Sequence, residues 1–225
     1  MRWHFLNSGP GAPADNMALD EALLEAAPRF GCPVLRFYGW TEPAASFGYF
    51  QKFAEVERLT KLRPLIRRPT GGGLVPHDAD WTYSLAFPAG DPWHKLKAVE
   101  SYRRVHEWIR AAFTDAGLAT ELAPCCRKEA PGLCFIGAEQ FDVLWQGRKI
   151  AGAAQRRTRD GLLIQGSIQS PSGPSRSEFE TAFCEVARTQ WGVEWRPLAA
   201  DVALTERVSE LAREKFSRRD YNERR

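Results

Sequence analysis

Arg67-Arg68-Pro69-Thr70-Gly71-Gly72-Gly73-Leu74-Val75-Pro76-His77-Asp78, running on into Ala79-Asp80-Trp81-Thr82-Tyr83-Ser84-Leu85, is the stretch that decides how this chain reads. Three consecutive glycines carry no Cβ, so the backbone can take φ > 0 and a ligand can lie against main-chain N–H groups. Arg67 and Arg68 add forked donors suited to phosphate or carboxylate, and His77-Asp78 adds a titratable pair. Together they read as an anion site, with a plain Gly-rich hairpin turn after an edge strand as the structural alternative. The loop fits neither the Walker pattern, which needs Gly-Lys-Ser/Thr, nor the spaced dinucleotide fingerprint. P-loop and Rossmann readings therefore fall away.

Outward from this loop, apolar and polar residues alternate from Trp81 to Phe87, the pattern of a half-buried strand. Phe141–Trp145 and Lys149–Gln155 read as strands joined across Gln146-Gly147, and a turn at Arg159-Asp160-Gly161 leads into Leu162–Ile168. Tyr102, Val105, Ile109, Ala112, Phe113 and Ala116 follow a helical rhythm that stops at Gly117. Ser177 and Glu180 read as a capping box for a helix bearing Phe179, Phe183, Val186 and Ala187 on one face and ending before Gly192. A third helix is expected from about Thr205 to Phe216, and the polar end, Arg218 to Arg225, reads as frayed. Strands interspersed with helices that are not regular crossovers predict an α+β fold with a mixed β-sheet flanked by helices. No repeat or linker divides the chain, so residues 1–225 are read as one domain.

The composition sets bounds on function. With 44% apolar and 26% charged residues, the 225-residue chain has the make-up of a soluble globular protein. It has no apolar run of membrane-spanning length, and its first residues lack a signal peptide's apolar core, so a cytoplasmic enzyme is expected. Five cysteines, with no paired metal-like spacing, read as free thiols, and Cys125-Cys126 as loop or core thiols. A net charge of +3 is too small for a nucleic-acid binder. Its cations nevertheless cluster at Arg63, Arg67 and Arg68 and at Arg156, Arg157 and Arg159, which would steer an acidic partner if both groups flanked one cleft.

Two further residues could carry chemistry. Lys149 precedes the small-residue run Ala151-Gly152-Ala153-Ala154, where a substrate chain can approach the strand beside an ammonium; it also fits an ordinary surface lysine. Cys134, in Pro131-Gly132-Leu133-Cys134-Phe135, reads either as a loop thiol open to reaction or as a small buried hydrophobe.

The glycine stretch resembles the Arg-Arg-x-Thr-Gly-Gly-Gly-x-Val-x-His-Asp motif of the lipoate-protein ligase and octanoyltransferase superfamily, related to the biotin-protein ligases. Three more stretches match in order: Asp15–Leu24, Leu35–Trp40 with Ser46–Gln51, and Gly147–Gln155. The resemblance is strongest over residues 15–168 and implies a catalytic domain of the class II synthetase and biotin-protein-ligase type. It implies that Lys149 lies in an acyl pocket with Gly152 and Ala153, and that Arg67, Arg68, Gly71, Gly72, Gly73 and His77 contact substrate. Cys134-Phe135, upstream of the lysine motif, resembles the Cys-dependent octanoyltransferases, which implies a Cys134/Lys149 dyad and no cofactor. The donor would be octanoyl-acyl carrier protein and the acceptor a lipoyl domain or glycine-cleavage H protein. An ATP-dependent ligase would instead need ATP and Mg²⁺, with Arg68 and the glycine amides on phosphate. A third alternative, a catalytically inactive binder of lipoylated proteins, is prompted by one departure: Gln165 stands where the family pattern has histidine.

Overall fold

The computed structural model describes residues 1–126, 137–169 and 172–224. Strand β1 (Arg2–Gly11) leads into α1 (Pro13–Phe30), β2 (Val34–Trp40), β3 (Ala44–Phe47), the short α2 (Phe53–Val56), β4 (Leu65–Arg67), β5 (Val75–His77) and β6 (Asp80–Pro88). After α3 (Pro92–Lys95), α4 (Ala98–Asp115) and β7 (Glu121–Leu122) comes an antiparallel meander of β8 (Val143–Trp145), β9 (Arg148–Arg157) and β10 (Gly161–Gln169). Helix α5 (Arg176–Trp191), β11 (Glu194–Pro197), α6 (Val202–Leu211), a π-helical turn (Ala212–Phe216) and α7 (Arg219–Asn222) follow.

Eight strands form a mixed sheet in the order β11-β1-β2-β6-β10-β9-β8-β7, parallel through β11, β1 and β2 and antiparallel beyond. A small second sheet, β4-β3-β5, carries the glycine loop between β4 and β5. The period-2 alternation of β6 sorts its side chains to the two faces of the large sheet. Tyr83, Leu85 and Phe87 join a core with Val105, Trp108, Ile109 and Phe113 of α4 and Phe179 and Phe183 of α5. Within it Trp108 stacks on Phe183 at 3.7 Å. The opposite phase packs Val34, Tyr38 and Ala86 against Met17, Ala18 and Leu23 of α1 and Leu204 and Leu211 of α6. Asp80, Thr82 and Ser84 share that second phase, and all three are buried.

The mixed α+β architecture is the one expected, and the expected strands and helices are present, with local shifts. Gln146 and Gly147 close the β8–β9 hairpin with φ of 50° and 74°, the pattern of a type I′ turn. The capping box of α5 lies two residues earlier than expected, at Ser175 and Glu178, which exchange side-chain and main-chain hydrogen bonds. Glu180 is drawn instead into an ion pair with Arg176 at 2.6 Å. The third helix begins at Val202, and its last part is the π-helical turn.

The C-terminal segment is not frayed: Arg219–Asn222 form a helix. Helix α7 buries Tyr221 and Asn222, and Asn222 Oδ1 accepts the main-chain N–H of Arg67 at 2.8 Å while its amide donates to Phe216 O at 2.7 Å. The polar composition that suggested fraying is that of a segment whose polar groups are held by partners in the fold. No helix among the described residues is long and apolar enough to cross a membrane.

Candidate active site

Where the α1-side of the large sheet meets the small sheet there is a partly open cavity. Its walls come from β2 (Tyr38, Trp40), Ser46, Arg68, His77 and the β9–β10 pair, together with Met17, Val75 and Thr82. On β9 the wall is Lys149, Gly152, Ala153 and Ala154, so the small-residue run expected beside the lysine is on the cavity.

Lys149 is only 6% exposed, and its Nζ lies 2.8 Å from Asp142 Oδ2. Asp142, fully buried, also accepts the Tyr102 hydroxyl at Oδ1 and the Glu139 N–H at Oδ2, the latter at 2.6 Å. A Cβ on residue 152 would come within 2.6 Å of Lys149 Cε and 3.2 Å of Asp142 Oδ1, so glycine at this position is what leaves room for the ion pair. Gly166, across the β9–β10 ladder, makes the same allowance for the Tyr83 ring, which a Cβ would meet at 2.1 Å. Behind Asp142, the fully buried His106 gives Nδ1 to a 2.7 Å contact with Tyr102 O, and burial pushes its pKa down to about 4. Burial also drives the Tyr83 phenol up.

Arg67 and Arg68 part company, because neighbouring residues of an extended segment point to opposite sides. Arg67 is fully buried away from the cavity lining, donating to Tyr49 O and Gln51 O at 2.7 Å each and to Asn222 O and Arg224 O at 3.0 and 2.6 Å. Its place is that of a staple between the Tyr49–Gln51 segment and the C-terminal helix. Arg68 lines the cavity and donates to Gly71 O at 3.1 Å, Gly73 O at 2.8 Å and Ser46 O at 3.2 Å. Gly71, Gly72 and Gly73 are not among the lining residues; Gly71 and Gly73 turn carbonyls onto Arg68. The second cation cluster divides in the same way. Arg156 pairs with Glu21 of α1 at 3.1 Å, Arg157 reaches Ser101 of α4 at 2.8 Å, and Arg159 projects into solvent.

Polar side chains that sequence reasoning passed over hold the α1-side wall. Asp20, fully buried, accepts Arg36 and Ser84 at 2.6 Å on one oxygen and Tyr38 (2.9 Å) and Gln165 (2.7 Å) on the other. Burial, and next the Asp20 charge, raise the Tyr38 phenol well above its ordinary value. Gln165 completes the network by accepting from Thr70 at 2.7 Å, so its amide uses both a donor and an acceptor where an imidazole was expected. The partner of His77 is Asp80 and not Asp78, which is exposed. Extending the Trp81–Phe87 alternation back by one residue would have found Asp80, and the i, i+4 spacing of Asn16 and Asp20 marks one face of α1. Nothing local singled out Asp142, and Ser46 was marked only as the start of a matching stretch.

Cys134 lies outside the described residues. Of the other thiols, burial pushes Cys184 up to about 12 and raises Cys32, and Cys125 and Cys126 are exposed; none of these four lines the cavity.

Fold and cavity together define a class: an α+β protein with a pocket at the junction of its two sheets that is lined by Lys149, Arg68, Ser46 and His77. The family model described as the lipoyl protein ligase A/B catalytic domain matches residues 12–188, and the chain belongs to that family. The octanoyltransferase LipM of Bacillus subtilis is 39% identical over 179 residues, covering 74% of this chain and 64% of the relative. LipM of Carboxydothermus hydrogenoformans is 37% identical over 174 residues, with 74% and 64% covered. The chain thus matches less than two thirds of the length of these relatives. Among solved structures, lipoate-protein ligase A bound with ATP superposes with a TM-score of 0.83 at 20% identity, covering 99% of each chain. A bi-partite lipoate protein ligase from Thermoplasma acidophilum gives 0.77 at 20% identity, covering 99% of this chain and 96% of the other. The fold is therefore that of lipoate-protein ligases, as the resemblance implied.

Proposed function

We propose that this chain is an acyltransferase of lipoate metabolism. It moves an octanoyl or lipoyl group from an acyl carrier protein, through a thioester on Cys134, to a lysine of a lipoyl domain or glycine-cleavage H protein. The observation that carries this reading is Lys149, an ammonium almost closed off from solvent on a wall otherwise made of Gly152, Ala153 and Ala154. An acyl chain would lie against the small apolar residues of β9 with its carbonyl at the cation. The name octanoyltransferase carried by the curated relatives supports the transferase branch.

In this reading the Cys134 thiolate attacks the donor thioester carbon, the bond to the carrier's sulfur breaks, and the carrier leaves as a thiol after taking a proton. The acceptor amine then attacks the acyl-enzyme; an amide C–N bond forms, the bond to Cys134 sulfur breaks, and the nitrogen gives up a proton. Lys149 stabilises charge on the thiolate or on the carbonyl oxygen of the tetrahedral intermediate. No ATP enters, because the thioester already carries the activated acyl group. Residues 1–225 act as one catalytic domain in the cytoplasm, without metal, nucleic acid or membrane.

An ATP-dependent ligase would use Arg68 and the glycine loop for phosphate, and there a phosphate would compete with the Gly71, Gly73 and Ser46 carbonyls for the guanidinium. That disfavours the ligase reading. Gln165, bonded on both sides, and Lys149, in place on the cavity, weigh against an inactive relative. The test is transfer from octanoyl-carrier protein to a lipoyl domain without ATP or Mg²⁺. Cys134→Ala should abolish it, and Cys125→Ala and Cys126→Ala should leave it near wild type. Full ATP-dependent lipoylation by Cys134→Ala would overturn the reading.

A further inference from the structure

The second half of the proposed reaction leaves a proton without a destination. The acceptor lysine attacks as a free amine and sheds a proton as the amide forms, while Lys149 stands in an ion pair with Asp142. A different part of the same cavity wall holds a chain of groups suited to taking it. Ser46 and His77 both line the cavity, with Ser46 Oγ 2.8 Å from His77 Nε2. On the far side of the ring, His77 Nδ1 is 2.8 Å from Asp80 Oδ2.

The order of these groups is set by their surroundings. Ser167 and Thr82 donate to Asp80 Oδ2 at 2.6 and 3.1 Å, and Trp40, whose indole N–H reaches Thr82 Oγ1 at 2.8 Å, stacks on the His77 ring at 3.9 Å and 19°. Arg68 donates to Ser46 Oγ at 3.3 Å. One proton arrangement satisfies every donor: Arg68 N–H to Ser46 Oγ, Ser46 O–H to His77 Nε2, and His77 Nδ1–H to Asp80 Oδ2. It leaves Nε2 as the acceptor, in line with the cavity through the serine.

A further feature separates this chain from packing alone. Asp80 is buried, its bonded partners are His77, Thr82 and Ser167, and its Oδ1 has no hydrogen-bond partner among the described residues. A carboxylate hydrogen-bonded to Nδ1 fixes the tautomer and orientation of the ring, so that Nε2 is turned to the serine.

We propose that Asp80, His77 and Ser46 form a relay that accepts the proton of the acceptor lysine; this rests on the acyl-enzyme reading above. As the new C–N bond forms and the bond to Cys134 sulfur breaks, the nitrogen's proton passes to Ser46 Oγ and the serine's own proton to His77 Nε2. The sulfur leaves as thiolate, the imidazolium is held by Asp80, and its proton returns to solvent before the next turnover. Ser46 would touch the reacting amine, His77 would be the base, and Asp80 would position it.

The test separates the two half-reactions in the 225-residue chain. Octanoyl-enzyme is formed from octanoyl-carrier protein, freed of donor, and discharged either with a lipoyl domain or with hydroxylamine, whose nitrogen is neutral at neutral pH. Asp80→Asn should slow discharge by the lipoyl-domain lysine about 100-fold more than it slows acylation, the scale of a lost general base. Ser46→Ala should do the same, and it carries the test if Asp80→Asn does not fold. Discharge by hydroxylamine should fall far less in both variants. A ratio of the two half-reactions unchanged from wild type, or hydroxylamine slowed as much as the lysine, would overturn the relay while leaving the acyl-enzyme intact. Failure of the wild-type protein to acylate at all would remove the underlying reading and the relay with it.

Discussion

A Cβ built at residue 152 stands 2.7 Å from Lys149 Nζ, which makes Gly152→Ala a probe of where the ammonium sits. The lysine head is flexible enough to swing aside, so the variant should fold, losing about 1–3 kcal/mol, while transfer drops by about 100-fold because the cation is displaced by roughly 1 Å. Wild-type rates in Gly152→Ala would show that Lys149 does not act from this position. Lys149→Ala is a harsher change than the sequence suggested, since it leaves Asp142 charged and buried, at a cost of about 3–5 kcal/mol. Denaturant melts should show Lys149→Ala/Asp142→Ala losing clearly less than the two single variants combined. Lys149 and its small neighbours were legible in the chain because they lie together in it. Asp142 was not, since it lies just before β8 and only the β8–β9 hairpin brings it to the lysine.

At the scale of elements, the loop between β4 and β5 is held from two directions, Arg68 from the cavity side and Arg67 from the C-terminal helix. Adjacent arginines looked like one anion site in the sequence. Extended backbone sends them opposite ways, and the long-range partner that claims Arg67, α7, sits in a segment whose composition resembles a loose tail. Asn222→Ala removes bonds to Arg67 N–H, Phe216 O and Arg218 O and leaves a buried N–H unsatisfied. It should cost about 1–3 kcal/mol by urea denaturation. A frayed end would predict no change in the midpoint. The alternation of β6, by contrast, was readable residue by residue, and its polar phase supplied Asp80, Thr82 and Ser84 to the site side of the sheet.

For the whole molecule, His106 ties stability to pH. Its folded pKa of about 4 lies below the ordinary 6.5, with burial as the leading cause. Between those values the unfolded chain binds a proton that the folded protein does not, so stability rises with pH across this window. Acidifying from 6.5 towards 4 should therefore remove up to about 3 kcal/mol, with no further loss from this group below 4. His106→Phe should flatten that part of the profile of urea midpoint against pH; parallel profiles would contradict the assignment. The helical rhythm of α4 marked Val105 and Ile109 for the core, but a buried histidine on that helix follows only from the packing of α4 over the end of the sheet near Asp142.

Covalent transfer through Cys134 should leave an acyl group on the protein itself. Its most direct measurement is the intact mass of the protein after incubation with octanoyl-carrier protein and no ATP. Wild type should gain one octanoyl group, removable by hydroxylamine and lacking in Cys134→Ala. An unmodified wild-type mass under conditions where the same sample lipoylates a lipoyl domain with ATP and Mg²⁺ would contradict it.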